Sequence, residues 1–210
     1  MANIILINPR FQSAKGVTWA LIMPPLGLGY LAAVLLKKNH RVQILDANLF
    51  HISSEKIIDH FSFKPDLIGI SASIVSYQEG IKYAKKIKSF FPDTPLIFGG
   101  THCSSCAPNI LIKNPSIDAV VVGEGEYTLL EIAESLGKKD LFAGIRGVVY
   151  RLNGQPVSNE PRPLVENLDT LPLPAYHLLP PFKNYLSRSR AEPVGSVLTS
   201  RGCPSHCTFC

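Results

Sequence analysis

No stretch of the 210-residue sequence approaches the ~20 uninterrupted apolar residues that a membrane-spanning helix requires. The opening residues, Met1-Ala2-Asn3-Ile4-Ile5-Leu6-Ile7-Asn8, lack the basic and long apolar regions of a secretory signal and read instead as a buried strand. The expectation is a soluble, cytoplasmic protein with no membrane span. Cysteine is scarce: there are five, an odd number, and three fall within the last eight residues, which argues against a secreted disulfide framework. The charged fraction is only 18%. The net charge of +5 comes partly from Lys37-Lys38, the lysines between 82 and 88, and Lys138-Lys139, which fall on helix faces or ends where solvated lysines are ordinary. Nucleic acid is therefore not an expected partner. Neither a Gly-x-Gly-x-x-Gly turn nor a phosphate loop follows the first strand, which argues against a nucleotide. There is no low-complexity tract and no internal repeat beyond an alternation of strands and helices.

That alternation dominates the first two thirds of the chain. Apolar, β-rich runs at 4–8, 41–46, 67–71, 95–99 and 119–122 alternate with helical periodicity at 26–38, 53–61, 77–90 and 127–136, with a weaker, short helix near 107–113. The strands are nearly continuous apolar runs, as expected where helices cover both faces of a parallel sheet. The predicted fold is α/β: a doubly wound, five-stranded parallel sheet over residues 1–140. A small β-hairpin with a type I′ turn at Asn153-Gly154 and a proline-rich linker, 141–192, follow. Residues 194–200 read as one more strand, opening a second domain at about 193, of which 193–210 is a truncated start.

Ligands of such sheets bind beyond the carboxyl ends of the strands. The unusual residues gather at those ends: Ser71-Ala72-Ser73, Gly99-Gly100-Thr101-His102 and Gly123-Glu124-Gly125-Glu126. Gly99 and Gly100 let a ligand approach the backbone, and Ser71 and Ser73 offer hydroxyls. Gly123 and Gly125 also read as turn formers, Glu124 and Glu126 as acids favouring the first turn of a helix, and His102 as a solvated loop histidine.

The tail of the sequence, Cys203-Pro204-Ser205-His206-Cys207-Thr208-Phe209-Cys210, sets three thiols on a loop after a strand. Three thiolates can hold three irons of a four-iron, four-sulfur cluster and leave the fourth iron open to a bidentate small ligand. A tetrahedral zinc site would need a fourth ligand, which His206, or Cys103 and Cys106, would supply. Cys103-Ser104-Ser105-Cys106 has the spacing of a redox pair, although small residues near a helix start also serve packing.

From Thr199 to Cys210 the sequence is similar to the signature of radical S-adenosylmethionine enzymes. The resemblance implies that Cys203, Cys207 and Cys210 ligate a 4Fe-4S cluster, that its open iron chelates S-adenosylmethionine for cleavage to a 5′-deoxyadenosyl radical, and that Phe209 lines the adenine side. Upstream, Pro24-Pro25-Leu26-Gly27-Leu28-Gly29-Tyr30, the three rim motifs and Leu168-Asp169-Thr170-Leu171-Pro172 resemble the cobalamin-binding domain and linker of the same enzyme class. This implies cobalamin as a cofactor held by Ser71, Ser73, Gly99, Gly100, His102, Gly123 and Glu124, methyl transfer as the reaction type, and a reductant such as flavodoxin or ferredoxin as partner. The Asp-x-His-x-x-Gly segment of methionine-synthase-type domains is absent; Asn8-Pro9-Arg10-Phe11 stands in its place, so no histidine is expected on cobalt. The competing readings are a non-catalytic corrinoid-binding module and a flavodoxin-like flavin or nucleotide binder with a terminal zinc loop.

Overall fold

A computed structural model describes residues 1–11, 22–185, 195–203, 205, 207 and 208. Five parallel strands form the centre: β1 (Asn3–Asn8), β2 (Arg41–Asp46), β3 (Leu67–Ser71), β4 (Leu96–Gly99) and β5 (Ala119–Val121). The helices between them are α1 (Leu26–Lys37), α2 (Tyr77–Phe90), α3 (Thr101–Lys113) and α4 (Glu126–Glu134), with a 3-10 helix, Ser54–His60, between β2 and β3. Two further strands, β6 (Val148–Leu152) and β7 (Gln155–Ser158), complete the order β2-β1-β3-β4-β5-β6-β7. The chain starts at β1, steps outward to β2, then returns to β3 on the other side, so the order reverses beside β1.

The apolar strands follow from burial on both faces. Ile4, Ile5, Leu6 and Ile7 of β1 are all fully buried. Because successive side chains alternate, Ile4 and Leu6 pack with α1 and α4 on one face, and Ile5 and Ile7 with α2 and α3 on the other. On α2 the buried residues Gly80, Tyr83, Ala84 and Ile87 fall at helical spacing, and the Tyr83 hydroxyl donates to the Ile52 carbonyl at 2.6 Å. No helix among the described residues is long and apolar enough to cross a membrane.

The structure departs from the sequence expectation in four places. The segment between β2 and β3 is a 3-10 helix that fully buries only Ile57, too little apolar surface to stabilise a regular amphipathic helix. Helix α3 begins at Thr101, not near Ala107, and Cys106 breaks its regularity at φ −141, ψ 29. The cause is Pro108, which lacks an N–H and crowds the carbonyl one turn earlier. His102 consequently stands on the first turn of a helix rather than in a loop. The hairpin has its type I′ turn, with Asn153 and Gly154 at φ 49 and 81, but it continues the main sheet, pairing Val149 of β6 antiparallel with Val120 of β5.

Residues 161–185 form an ordered strap. Leu171, Ala175, Leu179 and Tyr185 are buried, and the Ala175 N–H donates to the Gly29 carbonyl of α1 at 2.9 Å. The fourth departure concerns the strand expected over 194–200: residue 194 lies outside the described residues, and 195–200 have no regular structure. A strand needs a neighbouring strand for its backbone groups, and among the described residues no strand pairs with this segment.

Candidate functional site

The parallel strands end around a cavity of ≈ 380 Å³ between the sheet, α1 and the start of α4. Its floor is apolar: Leu6 from β1 and Ile97 from β4 flank Gly69 of β3. A Cβ at Gly69 would lie 3.0 Å from Leu6 Cδ2, so the missing side chain keeps the floor open. Gly99, Gly100, Gly123 and Gly125 continue the wall along the strand tips. Gly100 is irreplaceable on geometry alone. Its φ is +100, and a Cβ would sit 2.6 Å from the Ala72 carbonyl oxygen, so only glycine lets β4 turn this sharply into α3.

Of the expected contact residues, the structure brings Ser71, Gly99, Gly100, Gly123 and Glu124 together around the cavity. Ser73 and His102 are not among the lining residues. The Ser73 N–H donates to Ser76 Oγ at 3.0 Å in the turn that starts α2. The His102 ring stands edge-on to Tyr77, centroids 4.8 Å apart, with Nε2 3.8 Å from Cys106 Sγ. Glu124 is already engaged by protein: Oε2 accepts the Val165 N–H at 2.6 Å and Oε1 accepts from Arg201 Nη1 at 3.2 Å.

The residues that sequence reasoning overlooked lie at the cavity mouth. Arg201 and Leu198 line the cavity from the segment that leads to the cysteines. Arg201 also pairs with Glu126 Oε1 at 2.6 Å and lies over the Tyr30 ring of α1, 5.2 Å from its centroid. Glu126 is 5% exposed, and Arg201 neutralises it. The available signal was Arg201 itself, an arginine inside the quoted motif with two acids at the rim.

Cys203 and Cys207 are exposed. Hydrogen bonds from the Ser205 backbone and side chain hold the Cys203 thiol below its ordinary range, which favours the thiolate that a metal binds. Cys210 and Phe209, like His206, lie outside the described residues. Cys103 is fully buried in α3, and burial pushes its thiol up to about 12. It is a packing residue, and no group of three potential metal ligands occurs among the described residues.

Comparison with known proteins places this geometry. Residues 14–133, more than half of the chain, match the family model described as the B12 binding domain. A Pyrococcus horikoshii protein named as an uncharacterized methyltransferase is 37% identical over 99% of this chain and 45% of its own length. The cytidylyl-2-hydroxyethylphosphonate methyltransferase of Streptomyces wedmorensis is 29% identical over 89% of this chain and 43% of its own. The chain thus spans less than half the length of these relatives. Among solved structures, the cobalamin-dependent S-adenosylmethionine radical enzyme OxsB, with aqua-cobalamin and S-adenosylmethionine bound, superposes with a TM-score of 0.68 at 20% identity, over 85% of this chain and 25% of that one. Its likeness is one of fold, and it agrees with the doubly wound sheet seen here. From the rim glycines, the cavity and the matched residues together, the chain belongs to the B12-binding domain family.

Proposed function

We propose that the chain binds cobalamin and forms the cobalamin-binding part of a radical S-adenosylmethionine enzyme of the methyltransferase type. The observation that carries this reading is the cavity at the carboxyl ends of β3, β4 and β5, apolar and glycine-walled, which Leu198 and Arg201 from the segment before the cysteines also line, Arg201 pairing there with Glu124 and Glu126. These residues fit the group. A corrinoid tail is partly apolar, and Gly69, Gly99, Gly100 and Gly123 line the wall against which it would lie. Ser71 would offer a hydroxyl and Glu124 a carboxylate at the wall, while Ser73 and His102 do not line the cavity and make contacts within the protein. Cys203, Cys207 and Cys210 are assigned as ligands of a 4Fe-4S cluster, with Phe209 beside the adenine of S-adenosylmethionine. When bound, the cofactors supply a methyl group and a radical; a reductant of the flavodoxin or ferredoxin type supplies the electron. The chain's own residues shape the cavity and give it an apolar floor.

The test is anaerobic reconstitution with iron, sulfide and hydroxocobalamin, followed by desalting, metal analysis and an absorption spectrum. The expected result is stoichiometric cobalt in the wild type. Cys203→Ala retains the cobalt and loses the iron. A folded sample that keeps no cobalt would falsify the reading and transfer the cavity to a flavin or nucleotide.

A further inference from the structure

We infer that the cavity selects the lower base of its cobamide, favouring a benzimidazole base, as in cobalamin, over a purine. The inference rests on the cavity being the cobalamin site and deepens that reading by naming which members of the cofactor class fit.

A cobamide carries its base on a nucleotide tail, and a cavity of ≈ 380 Å³ is of the size that holds a group of this kind. Its floor is built from the protein core. Leu6, Ile97 and Val121 reach it from β1, β4 and β5, and Leu28 and Leu129 from α1 and α4; none of the five is more than 6% exposed, and all belong to one cluster. Between Leu6 and Ile97, in register with both, Gly69 adds no side chain to the floor. A Cβ there would meet Leu6 Cδ2 at 3.0 Å and Ile97 Cγ1 at 3.9 Å. The backbone beneath is spent as well: β3 pairs with β1 and β4, and β4 with β5, so the strand N–H and C=O groups are used in the ladder.

The polar side chains that line the cavity belong to strand tips and helix starts. Ser71 faces the same side of the sheet as Gly69 but stands two residues further along β3, about 7 Å away. Glu124, in the turn after β5, and Glu126, in the first turn of α4, are paired with Arg201. A benzimidazole laid on the floor therefore meets leucine, isoleucine and valine carbons with its own carbon edge. A purine brings further ring nitrogens and, in adenine, an amino group. Each of these gives up a hydrogen bond to water, and the floor returns none among the described residues. The two bicyclic bases are close in size, so the cavity discriminates between them by desolvation and not by shape.

The experiment is titration calorimetry of the full chain with hydroxocobalamin, with the hydroxo form of adeninylcobamide, and with aquacobinamide, which carries no base. Cobalamin is expected to bind tightest, and adeninylcobamide more weakly by on the order of tenfold or more, the scale of one or two buried polar groups left unpaired. Adenine leaves cobalt more readily than benzimidazole does, which works against this order. Val121→Thr keeps the shape of the floor and adds a hydroxyl to it, so it narrows the ratio between the two bases. Gly69→Ala fills the floor; it weakens both base-bearing ligands and leaves cobinamide unchanged. Each variant is checked for a cooperative melting transition, and where one does not fold the wild-type ratios decide. Equal affinity for cobalamin and adeninylcobamide overturns the selection, as does a cobinamide that binds as tightly as cobalamin, or a ratio that Val121→Thr leaves unchanged; all three leave the cobalamin reading standing. A folded wild type that binds none of the ligands removes the cobalamin reading itself.

Discussion

Asp46, at the tip of β2, is a carboxylate that the fold holds almost entirely out of water, 1% exposed. Burial raises its pKa above the ordinary 3.8, and hydrogen bonds from Asn8, Leu49 and Tyr185 offset part of the rise. The Tyr185 hydroxyl donates to Oδ2 at 3.0 Å, which pins the far end of the strap to the sheet rim. A raised carboxyl pKa means that the folded state binds its proton more tightly than the unfolded chain does, so stability falls as pH rises between the two values. Relative to Asp46→Asn, the wild type is therefore expected to gain stability as pH drops from neutrality towards 3.8, and to gain no more below it. Urea unfolding of both proteins at several pH values measures this; parallel profiles would show that Asp46 titrates normally. At this scale the sequence made the cysteine spacing and the rim glycines legible. It did not reveal that Glu124 is occupied by Val165 and Arg201, or that His102 faces Tyr77, because those partners come from distant elements.

Among the elements, the strands were the most legible, since β1 to β5 advertise their two-sided burial as unbroken apolar runs. Helix α3 was not, because Pro108 obscures a helix that in fact begins seven residues earlier, at Thr101. The proline-rich strap was legible only as a linker, and its seat on α1 was not legible at all. That seat depends on Gly29: a Cβ there would lie 3.0 Å from Pro174 Cβ, and the Gly29 carbonyl accepts the Ala175 N–H. Gly29→Val should push the strap off α1 and cost about 1–3 kcal/mol, the usual scale of overpacking. Limited proteolysis gives the readout: new cleavage is expected between residues 161 and 185, and a digestion pattern identical to wild type would show that the strap does not depend on this contact.

At the scale of the whole molecule, the reversal of strand order beside β1 opens the crevice, and the two buried faces of the sheet assign opposite tasks to its sides. The α1 and α4 side carries the cavity; His102 packs with Tyr77 against the α2 and α3 side. Cobalt bound to this chain is accordingly expected to have no nitrogen ligand from the protein. The paramagnetic-resonance spectrum of the cobalt(II) form should lack nitrogen hyperfine structure from a histidine, and His102→Ala should retain stoichiometric cobalt. A nitrogen pattern that disappears in His102→Ala would overturn this arrangement.

The sequence by itself determined the α/β alternation, the central parallel sheet, the type I′ hairpin turn and the three-thiol spacing. Each is encoded locally, by a period of two, by helical spacing, by residues that tolerate positive φ, or by proximity along the chain. Tertiary structure alone decided that the hairpin joins the sheet, which rim residues face the cavity, and that Arg201 pairs with Glu124 and Glu126, 77 and 75 residues away. Such contacts depend on how separate elements pack and on which charges are buried together, and no local periodicity carries that information.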